Sequence, residues 1–281
     1  MKYGINVPNF GEFGDPRNLA DLAHEAEAAG WDGFFVWDGL HPSYPAEAVP
    51  MTDVWIALTA AAMTTQRIRL GPMLTPLARR RPWKVARETV ALDVLSGGRL
   101  ILGVGLGEPP MEFSTFGEDA DPRVRGDKLD EGLAVLTGLW TGKPFSFDGR
   151  YYTVRDALFA PPPLQQPRIP IWVGGTWPNR RPFRRAARFD GVFPLLAGTF
   201  TSPSAEQLRE IVAFVHEHRD APARLDVIVG GSTPGGDAGR AAAIVAAYAD
   251  AGMTWWHEDY DQGRRSLEDM RARIRRGPPA A

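Results

Sequence analysis

Apolar runs of strand length alternate with segments of helical periodicity along the whole chain, and this alternation restricts the possible folds more than any other feature. The predicted strands are residues 3–7, 33–37, 68–73, 100–104, 171–174, 191–194, 224–229 and 253–256. The predicted helices are residues 16–29, 53–64, 82–95, 122–140, 182–188, 204–217, 239–251 and 266–275. Eight alternations with short connections predict an α/β protein, a closed (β/α)8 TIM barrel rather than an open doubly wound sheet.

One segment interrupts this alternation of strands and helices. Residues 108–169 stand where a single βα unit is expected, and they contain a predicted helix and a predicted hairpin at 144–154 that turns at Asp148-Gly149. A loop of this length is usually functional rather than structureless. We therefore expect one domain over residues 1–281, with an insertion after the fourth strand.

Composition and charge exclude several classes of protein. The formal net charge is −2 and the pI is near 6.2, which gives no electrostatic reason to bind nucleic acid or an anionic membrane. The chain has no cysteine, so it has neither disulfides nor thiolate metal sites. It contains no apolar run of about 18 residues and begins directly in a predicted strand. These features predict a cytoplasmic protein.

Several motifs follow one another in a fixed order between residues 68 and 152. They are LGPMLTP at 70–76, the R-x-P of 80–82, ALDVLSGGR at 91–99, GVGLGE at 103–108 and the GR-x-Y of 149–152. In this order and spacing the chain resembles the luciferase-like family of flavin- and deazaflavin-dependent oxidoreductases. The resemblance implies a flavin-type cofactor over the barrel mouth and makes a homodimer an expectation.

Two cofactors are compatible with that resemblance. The leading hypothesis is hydride transfer between coenzyme F420 and a small organic substrate. The alternatives are an FMN-dependent monooxygenase, or an F420- or flavin-binding protein without efficient turnover. F420 and FMN share the ring and the first phosphate, so the motifs do not separate them.

Acidic side chains follow two of the predicted strands. Asp38 comes directly after the second strand and Glu108 after the fourth, and an acid at such a position is costly unless it has a partner or a task. The family pattern commonly has Asp-His at the first position, but this chain has Gly39 in place of the histidine, which puts a histidine-dependent sugar-phosphate dehydrogenase reaction in doubt. We expect Asp38, Glu108 and His41 to be catalytic. Glu112 is expected on a helix surface.

The third strand ends in a segment that the resemblance makes the support of the ring. Related proteins have a bulge with a non-prolyl cis peptide here, and alignment on the Thr-Pro places that bond between Pro72 and Met73. We expect a cis peptide or a pronounced bulge between Gly71 and Leu74. The expected cofactor contacts around it are Asn9, Asp38, Pro72, Met73, Thr75, Gly105 and Gly107.

The fifth strand leads into the best candidate for an anion site. Gly174, Gly175 and Thr176 precede a predicted helix, where free N–H groups and a hydroxyl can converge on a phosphate. The nearby Arg180 and Arg181 can neutralise a phosphate or an acidic tail. The expected substrate contacts are Phe10, Trp255 and His257, although Trp255 can equally close the barrel floor.

The chain offers few groups that react on their own. None of its four lysines falls at a predicted strand end, which argues against a Schiff-base aldolase. No pair or cluster of histidines suggests a metal site. The G-x-G-x-G of 103–107 runs into Pro109-Pro110 instead of a helix, unlike a dinucleotide-binding loop. This pattern is expected when a cofactor performs the difficult step.

Overall fold

The structure is a computed structural model that describes residues 1–40, 49–220, 224–260 and 266–279. Its strands are β1 (Lys2–Val7), β2 (Gly33–Val36), β3 (Arg69–Pro72), β4 (Thr75–Pro76), β5 (Leu102–Gly105), β6 (Phe145–Asp148), β7 (Thr153–Ala157), β8 (Ile171–Trp177), β9 (Gly191–Leu196), β10 (Asp226–Gly231) and β11 (Trp255–Asp259). Its helices are α1 (Pro16–Ala28), α2 (Val54–Thr64), α3 (Pro82–Leu95), α4 (Met111–Ser114), α5 (Pro122–Leu139), α6 (Arg180–Ala186), α7 (Ala205–Glu217), α8 (Ala238–Ala249) and α9 (Leu267–Arg275). None of the helices in these ranges is both long and apolar enough to cross a membrane.

The large sheet is a nearly closed parallel barrel. Its strand order is β3-β2-β1-β11-β10-β9-β8-β5-β4. The two ends of this order, β3 and β4, are halves of one barrel strand that is interrupted at Met73-Leu74, and a bridge between Leu70 and Leu100 joins β3 to the segment before β5. Counting β3 and β4 as one gives eight strands. The predicted (β/α)8 barrel is therefore confirmed.

Alternation of side chains along the strands divides the core into two parts. One set packs outward against the helices and includes Ile5, Val36 and Leu102. The other set fills the barrel and consists of Phe35, Met73, Ile101, Trp172, Phe193, Ile228 and Trp255. Because large rings close the barrel axis, any ligand of the barrel has to lie at a rim. Active sites of such barrels occupy the rim at the carboxyl ends of the strands.

Local signals explain where several helices begin. Asp15, Asp53 and Asp121 each precede a helix, and each carboxylate accepts a hydrogen bond from a backbone N–H of the first turn, at 2.9, 2.8 and 2.7 Å. Prolines at the first helical positions of α1 and α5 reinforce these starts. These caps fix the ends of the βα connections and therefore the rim.

The insertion contains α4, α5 and the antiparallel hairpin of β6 and β7. Helix α5 packs on the barrel, where the Trp140 indole N–H donates to Thr89 Oγ1 at 3.2 Å. The second strand of the hairpin, β7, ends at Ala157, three residues after the predicted end of the hairpin at residue 154. Several barrel strands also differ in their bounds from prediction, and two of the differences matter for the site: β8 continues to Trp177, and β11 runs from Trp255 to Asp259. Both differences move site residues, as described below.

Candidate functional site

The interrupted strand forms a bulge at the carboxyl rim. The Met73–Leu74 peptide bond is cis, and β4 resumes at Thr75. A cis bond or bulge between Gly71 and Leu74 was expected and is present. The exact bond lies one residue later than the Pro72–Met73 bond predicted, because Met73 N still donates to Val36 O at 2.8 Å and continues the ladder with β2.

Leu74 is the side chain that this bulge presents at the rim. It is half-buried, and glycines of the neighbouring strands make room for it. A β-carbon at Gly174 would lie 2.0 Å from Leu74 Cδ1, and β-carbons at Gly103 and Gly105 would lie 3.0 Å from its methyl carbons. Gly105 and Gly174 therefore make room for Leu74, and Gly103 makes room both for Leu74 and for the Pro72 carbonyl oxygen, 2.3 Å from the position of a β-carbon there. The result is an apolar platform, defined here as Leu74 on Gly103, Gly105 and Gly174.

Three other residues expected at the cofactor are enclosed by protein. Pro72 and Met73 are buried, and Thr75 is completely buried with a hydroxyl that has no hydrogen-bond partner. These three positions shape the platform from below rather than offering a surface. Gly107 and Gly175 are half-buried, and a β-carbon there would lie 2.7 Å from Pro76 Cβ and 2.4 Å from Pro182 Cβ, respectively.

Two arginines hold Asp38. Arg80 binds its carboxylate with both ends of the guanidinium, Nε to Oδ2 at 3.0 Å and a terminal nitrogen to Oδ1 at 2.5 Å. Arg79 adds a contact at 3.3 Å to the carboxylate and donates to the backbone carbonyl of Asp38 at 2.8 Å. Burial alone would lower the pKa of Arg80, but the adjacent Asp38 carboxylate raises it overall. Asp38 therefore has the contacts of a structural ion-pair partner.

Glu112 belongs to the same arrangement, which sequence reasoning missed. It was expected on a helix surface, but it is 3% exposed and forms an ion pair with Arg79. Its Oε1 also accepts the backbone N–H of Leu40 at 2.7 Å. The prediction was wrong because α4 turns Glu112 and the buried Phe113 inward. We call Asp38, Arg79, Arg80 and Glu112 the rim ion-pair network.

Glu108 lies apart from this network. Its side chain is 40% exposed, and its Oε1 is 3.5 Å from a terminal nitrogen of the buried Arg125. Arg125 also donates to the carbonyl of Gly107 and stacks on Phe113 at 4.9 Å. Asp38 and Glu108 thus bind different arginines. His41 lies outside the described residues.

Asn9 braces the loop after β2. Its Nδ2 donates to the carbonyls of Gly39 and Thr52, both at 2.8 Å, and its Oδ1 accepts from Gly39 N at 3.2 Å. A β-carbon at Gly39 would lie 3.1 Å from Asn9 Oδ1 and 3.3 Å from Met51 Cε, so a larger residue there would push on this brace. The amide expected at a cofactor ring is instead occupied by backbone groups.

The expected anion segment is part of the sheet. Residues Gly174–Trp177 pair with β9, so the two glycines are not in a free loop before a helix, and this part of the expectation was wrong. Thr176 Oγ1 accepts from Asn179 Nδ2 at 3.0 Å. Arg181 forms ion pairs with Asp127 and Asp130, at 2.6 and 2.7 Å. The exposed Arg180 lies flat over the Trp177 ring, 3.7 Å from its centroid.

Trp255 was expected to contact the substrate, but the bounds of strand β11 place it away from the rim. The strand begins there, so Trp255 lies in the floor of the barrel, 1% exposed and beneath Lys2 Nζ at 5.1 Å from its ring. His257 lies one layer higher, completely buried and stacked on Phe35 at 4.5 Å. Burial lowers its pKa to about 3, and neither ring nitrogen has a hydrogen-bond partner. Neither residue reaches the rim as a substrate contact would.

Asp259 is the β11 residue at the rim, and sequence reasoning missed it. It is half-buried, and its Oδ1 accepts a hydrogen bond from Asn6 Nδ2 at 2.9 Å. Period-two alternation from His257, with the strand end two residues later, would have found it. Phe10, an expected substrate contact, lies nearby at the rim with its ring 5.8 Å from that of Trp37.

No group of three or more His, Asp or Glu side chains suited to a metal ion occurs among the residues that the structure describes.

Comparisons with known proteins agree with the fold. The model of the luciferase-like monooxygenase family matches residues 1–237. Curated relatives include F420-dependent glucose-6-phosphate dehydrogenases of Microbacterium testaceum, 32% identical over 169 residues, and of Beutenbergia cavernae, 35% identical over 166 residues. The matches cover 59% and 58% of this chain but only 49% and 48% of the relatives. The chain thus spans about half the length of the curated relatives it matches.

Solved structures align over nearly the whole chain. An F420-dependent secondary alcohol dehydrogenase in complex with an F420–acetone adduct covers 99% of this chain and 98% of its own, with a TM-score of 0.81 and 18% identity. A monooxygenase from Streptomyces bottropensis covers 98% and 97%, with a TM-score of 0.77 and 21% identity. These likenesses show the barrel fold. Because the family model covers most of the sequence, the chain belongs to the luciferase-like monooxygenase family.

Proposed function

We propose that the protein is an oxidoreductase that transfers a hydride between coenzyme F420 and a small organic substrate. The observation that carries the proposal is the apolar platform at the carboxyl rim, where Leu74 rests on three glycines. The curated relatives compared above are named as F420-dependent dehydrogenases, which favours F420 over FMN.

The platform suits a flat ring. Leu74 is half-buried, so part of its apolar surface faces outward at the rim, while Gly105 and Gly174 add no side chain that would lift a ring away from it. The interior rings close the barrel directly below. A planar cofactor would therefore lie across the mouth with Leu74 under it, and the buried Pro72, Met73 and Thr75, together with Gly107, would hold that platform in place.

The end of β8 offers the groups that a phosphate arm requires. Thr176 supplies a hydroxyl, Asn179 an amide and Arg180 an exposed guanidinium that is held by stacking on Trp177. Charge-assisted bonds from arginine suit phosphate. We therefore assign the arm to Thr176 and Arg180, with Gly174 and Gly175 shaping the strand beneath it.

When bound, F420 supplies a ring carbon that accepts or gives a hydride. The rim ion-pair network and Asn9 together hold residues 38–40 and Thr52 beside the platform. We propose that Asp38 acts in this positioning role. Glu108 and His41 remain the proposed proton-transfer groups, Glu108 because it is partly exposed at the end of β5.

The experiment is a pair of calorimetric titrations, in which the apoprotein is titrated with F420 and, in parallel, with FMN. We expect saturable binding of F420 and at least tenfold weaker binding of FMN. Tighter binding of FMN would replace the proposal with the FMN-dependent monooxygenase. Tight F420 binding without turnover of any alcohol or carbonyl compound would favour a cofactor-binding protein.

Three further proposals concern the domain organisation, the location and the oligomeric state. We propose one domain over residues 1–281, a cytoplasmic location, and a homodimer. Sedimentation equilibrium of the purified protein tests the last of these, with a mass near twice 30.9 kDa expected and a monomer mass as the contradicting result.

A further inference from the structure

We propose that Arg180 and Arg184 form a subsite for a chain of carboxylates, and that its ligand is the oligoglutamyl tail of F420. The inference rests on the proposed F420-dependent function and adds to it a second point of cofactor recognition, beyond the ring and the phosphate. It concerns the outer surface of α6, next to the end of β8. FMN has no such tail, so the subsite would also distinguish the two cofactors.

The five arginines between residues 180 and 188 divide into two groups. Three of them form ion pairs with Asp130 of α5 at 2.6 to 3.2 Å, and these are Arg181, Arg185 and Arg188. Arg180 and Arg184 are exposed, and neither forms an ion pair with an Asp or Glu of the part of the chain that the structure describes. The first group therefore attaches α6 to the insertion, and the second leaves two positive charges at the surface.

Aromatic rings hold these two guanidinium groups in place. The Arg180 guanidinium carbon lies 3.7 Å from the centroid of the Trp177 ring and 4.7 Å from that of the Phe214 ring. The Arg184 guanidinium carbon lies 5.9 Å from the centroid of the same Phe214 ring. Stacking leaves the N–H groups at the edge of a guanidinium available to an anion, and a side chain that is already held loses less entropy on binding. We call Arg180 and Arg184 on the Phe214 ring the tail subsite.

The spacing of the two arginines favours a ligand with more than one carboxylate. Arg180 and Arg184 are four residues apart in α6, so their side chains are neighbours on the helix surface. Like charges at this spacing destabilise a helix, and bound carboxylates would relieve the repulsion. Arginine binds a carboxylate through two parallel N–H···O bonds. A chain with several carboxylates can therefore bind both arginines at once.

The tail subsite continues the proposed path of the cofactor arm. Thr176, which is assigned to the phosphate, accepts a hydrogen bond from Asn179, and Arg180 follows Asn179 directly. Arg184 lies one helical turn further along α6, and helices of such a barrel run back from the rim at which the strands end. A tail that leaves the phosphate can thus pass from Arg180 to Arg184 along the outside of the barrel, without crossing its mouth.

Calorimetric titration with F420 of different tail length tests the inference. The probes are the phospholactyl form of F420 without glutamyl residues and the form with several of them. At low ionic strength we expect the tailed form to bind the wild type about tenfold more tightly than the tailless form, and added salt to reduce this difference.

Arg184→Gln is the decisive variant, because Arg184 lies outside the groups assigned to the ring and the phosphate. It should weaken binding of the tailed form about fivefold and change the affinity for the tailless form less than twofold. Arg240→Gln, at an exposed arginine of α8, removes the same charge elsewhere and should change neither affinity. Far-ultraviolet circular dichroism checks that each variant is folded.

Three results would overturn the inference while tailless F420 still binds. They are equal affinities of the wild type for the two forms, an unchanged preference for the tail in Arg184→Gln, and an equal loss of that preference in Arg240→Gln, which would indicate a general effect of net charge. Failure of both forms to bind would instead remove the proposed function and this inference together.

Discussion

The two halves of the barrel rim treat their acidic groups in opposite ways. On the β2, β4 and β5 side, Asp38, Glu112 and Glu108 each bind an arginine, and the first two are almost completely buried. On the β1 and β11 side, Asp259 is half-buried and receives a neutral amide N–H from Asn6. The first half encloses its acids in ion pairs with arginine, whereas the second leaves the Asp259 side chain partly exposed at the rim.

The physical reason lies in the cost of burying charge. A carboxylate taken out of water needs a well-placed cation and further hydrogen bonds, and the rim ion-pair network supplies both. Such a group is poorly suited to exchange partners during a reaction. Burial and charge pairing, more than position at a strand end, therefore mark Asp38 and Glu112 as structural acids.

The largest effect should come from breaking the scaffold half. Arg79→Met removes the guanidinium shared by Asp38 and Glu112, and we expect the free energy of unfolding to fall by about 3–5 kcal/mol because buried carboxylates lose their cation. Urea denaturation measures it. Arg17→Met, which breaks an exposed pair with Asp15, is the matched control and should leave the free energy of unfolding nearly unchanged. A loss as small as that in Arg79→Met would show that the network is not structural.

A second effect concerns His257, which lies one layer below the rim on β11. Burial lowers its pKa to about 3 in the folded protein, against 6.5 in an unfolded chain. Between these values the unfolded state binds more protons, so the stability from neutral His257 is complete above pH 6.5 and is lost as the pH falls. At about pH 5 the loss should approach 2 kcal/mol, at roughly 1.4 kcal/mol per unit.

His257→Leu should flatten that part of the stability curve, as measured by urea denaturation at several pH values. His216→Gln, at an exposed histidine of α7, is the control and should leave the curve unchanged. Curves of identical shape for wild type and His257→Leu would contradict the account of a neutral histidine enclosed by rings.

A third effect concerns the platform. Gly174→Ala puts a β-carbon 2.0 Å from Leu74 Cδ1, so Leu74 must move, and we expect F420 affinity to fall about tenfold, or about 1.4 kcal/mol. Gly98 lies in the connection between α3 and β5, at the rim away from the platform, and has a φ of +82°. Gly98→Ala will therefore strain the backbone and is the control for a loss of stability without a loss of binding. Unchanged F420 affinity in a folded Gly174→Ala protein would exclude Leu74 as the support.

The smallest effect is expected at Thr75. Its buried hydroxyl has no hydrogen-bond partner, so Thr75→Val should leave the free energy of unfolding unchanged or raise it by up to about 1 kcal/mol. Because the hydroxyl is enclosed, F420 affinity should change less than twofold. A tenfold loss of affinity with unchanged stability would show that Thr75 contacts the cofactor.

Sequence patterns were sufficient for the barrel and for the location of the bulge. Period-two apolar runs and the motif at 70–76 carry that information locally. They were not sufficient for the partners of Asp38, since Arg79 and Arg80 lie about forty residues further along and meet it only after the strands pair. They were also insufficient for β11, where a two-residue difference in the strand bounds moved Trp255 to the floor and Asp259 to the rim.

A crystal structure of the complex with F420 is the most direct test of the division between the two halves of the rim. The account predicts the deazaflavin ring against Leu74 and the phosphate within hydrogen-bond distance of Thr176 and Arg180. A ring that makes no contact with Leu74, or that lies outside the mouth on the insertion, would contradict it.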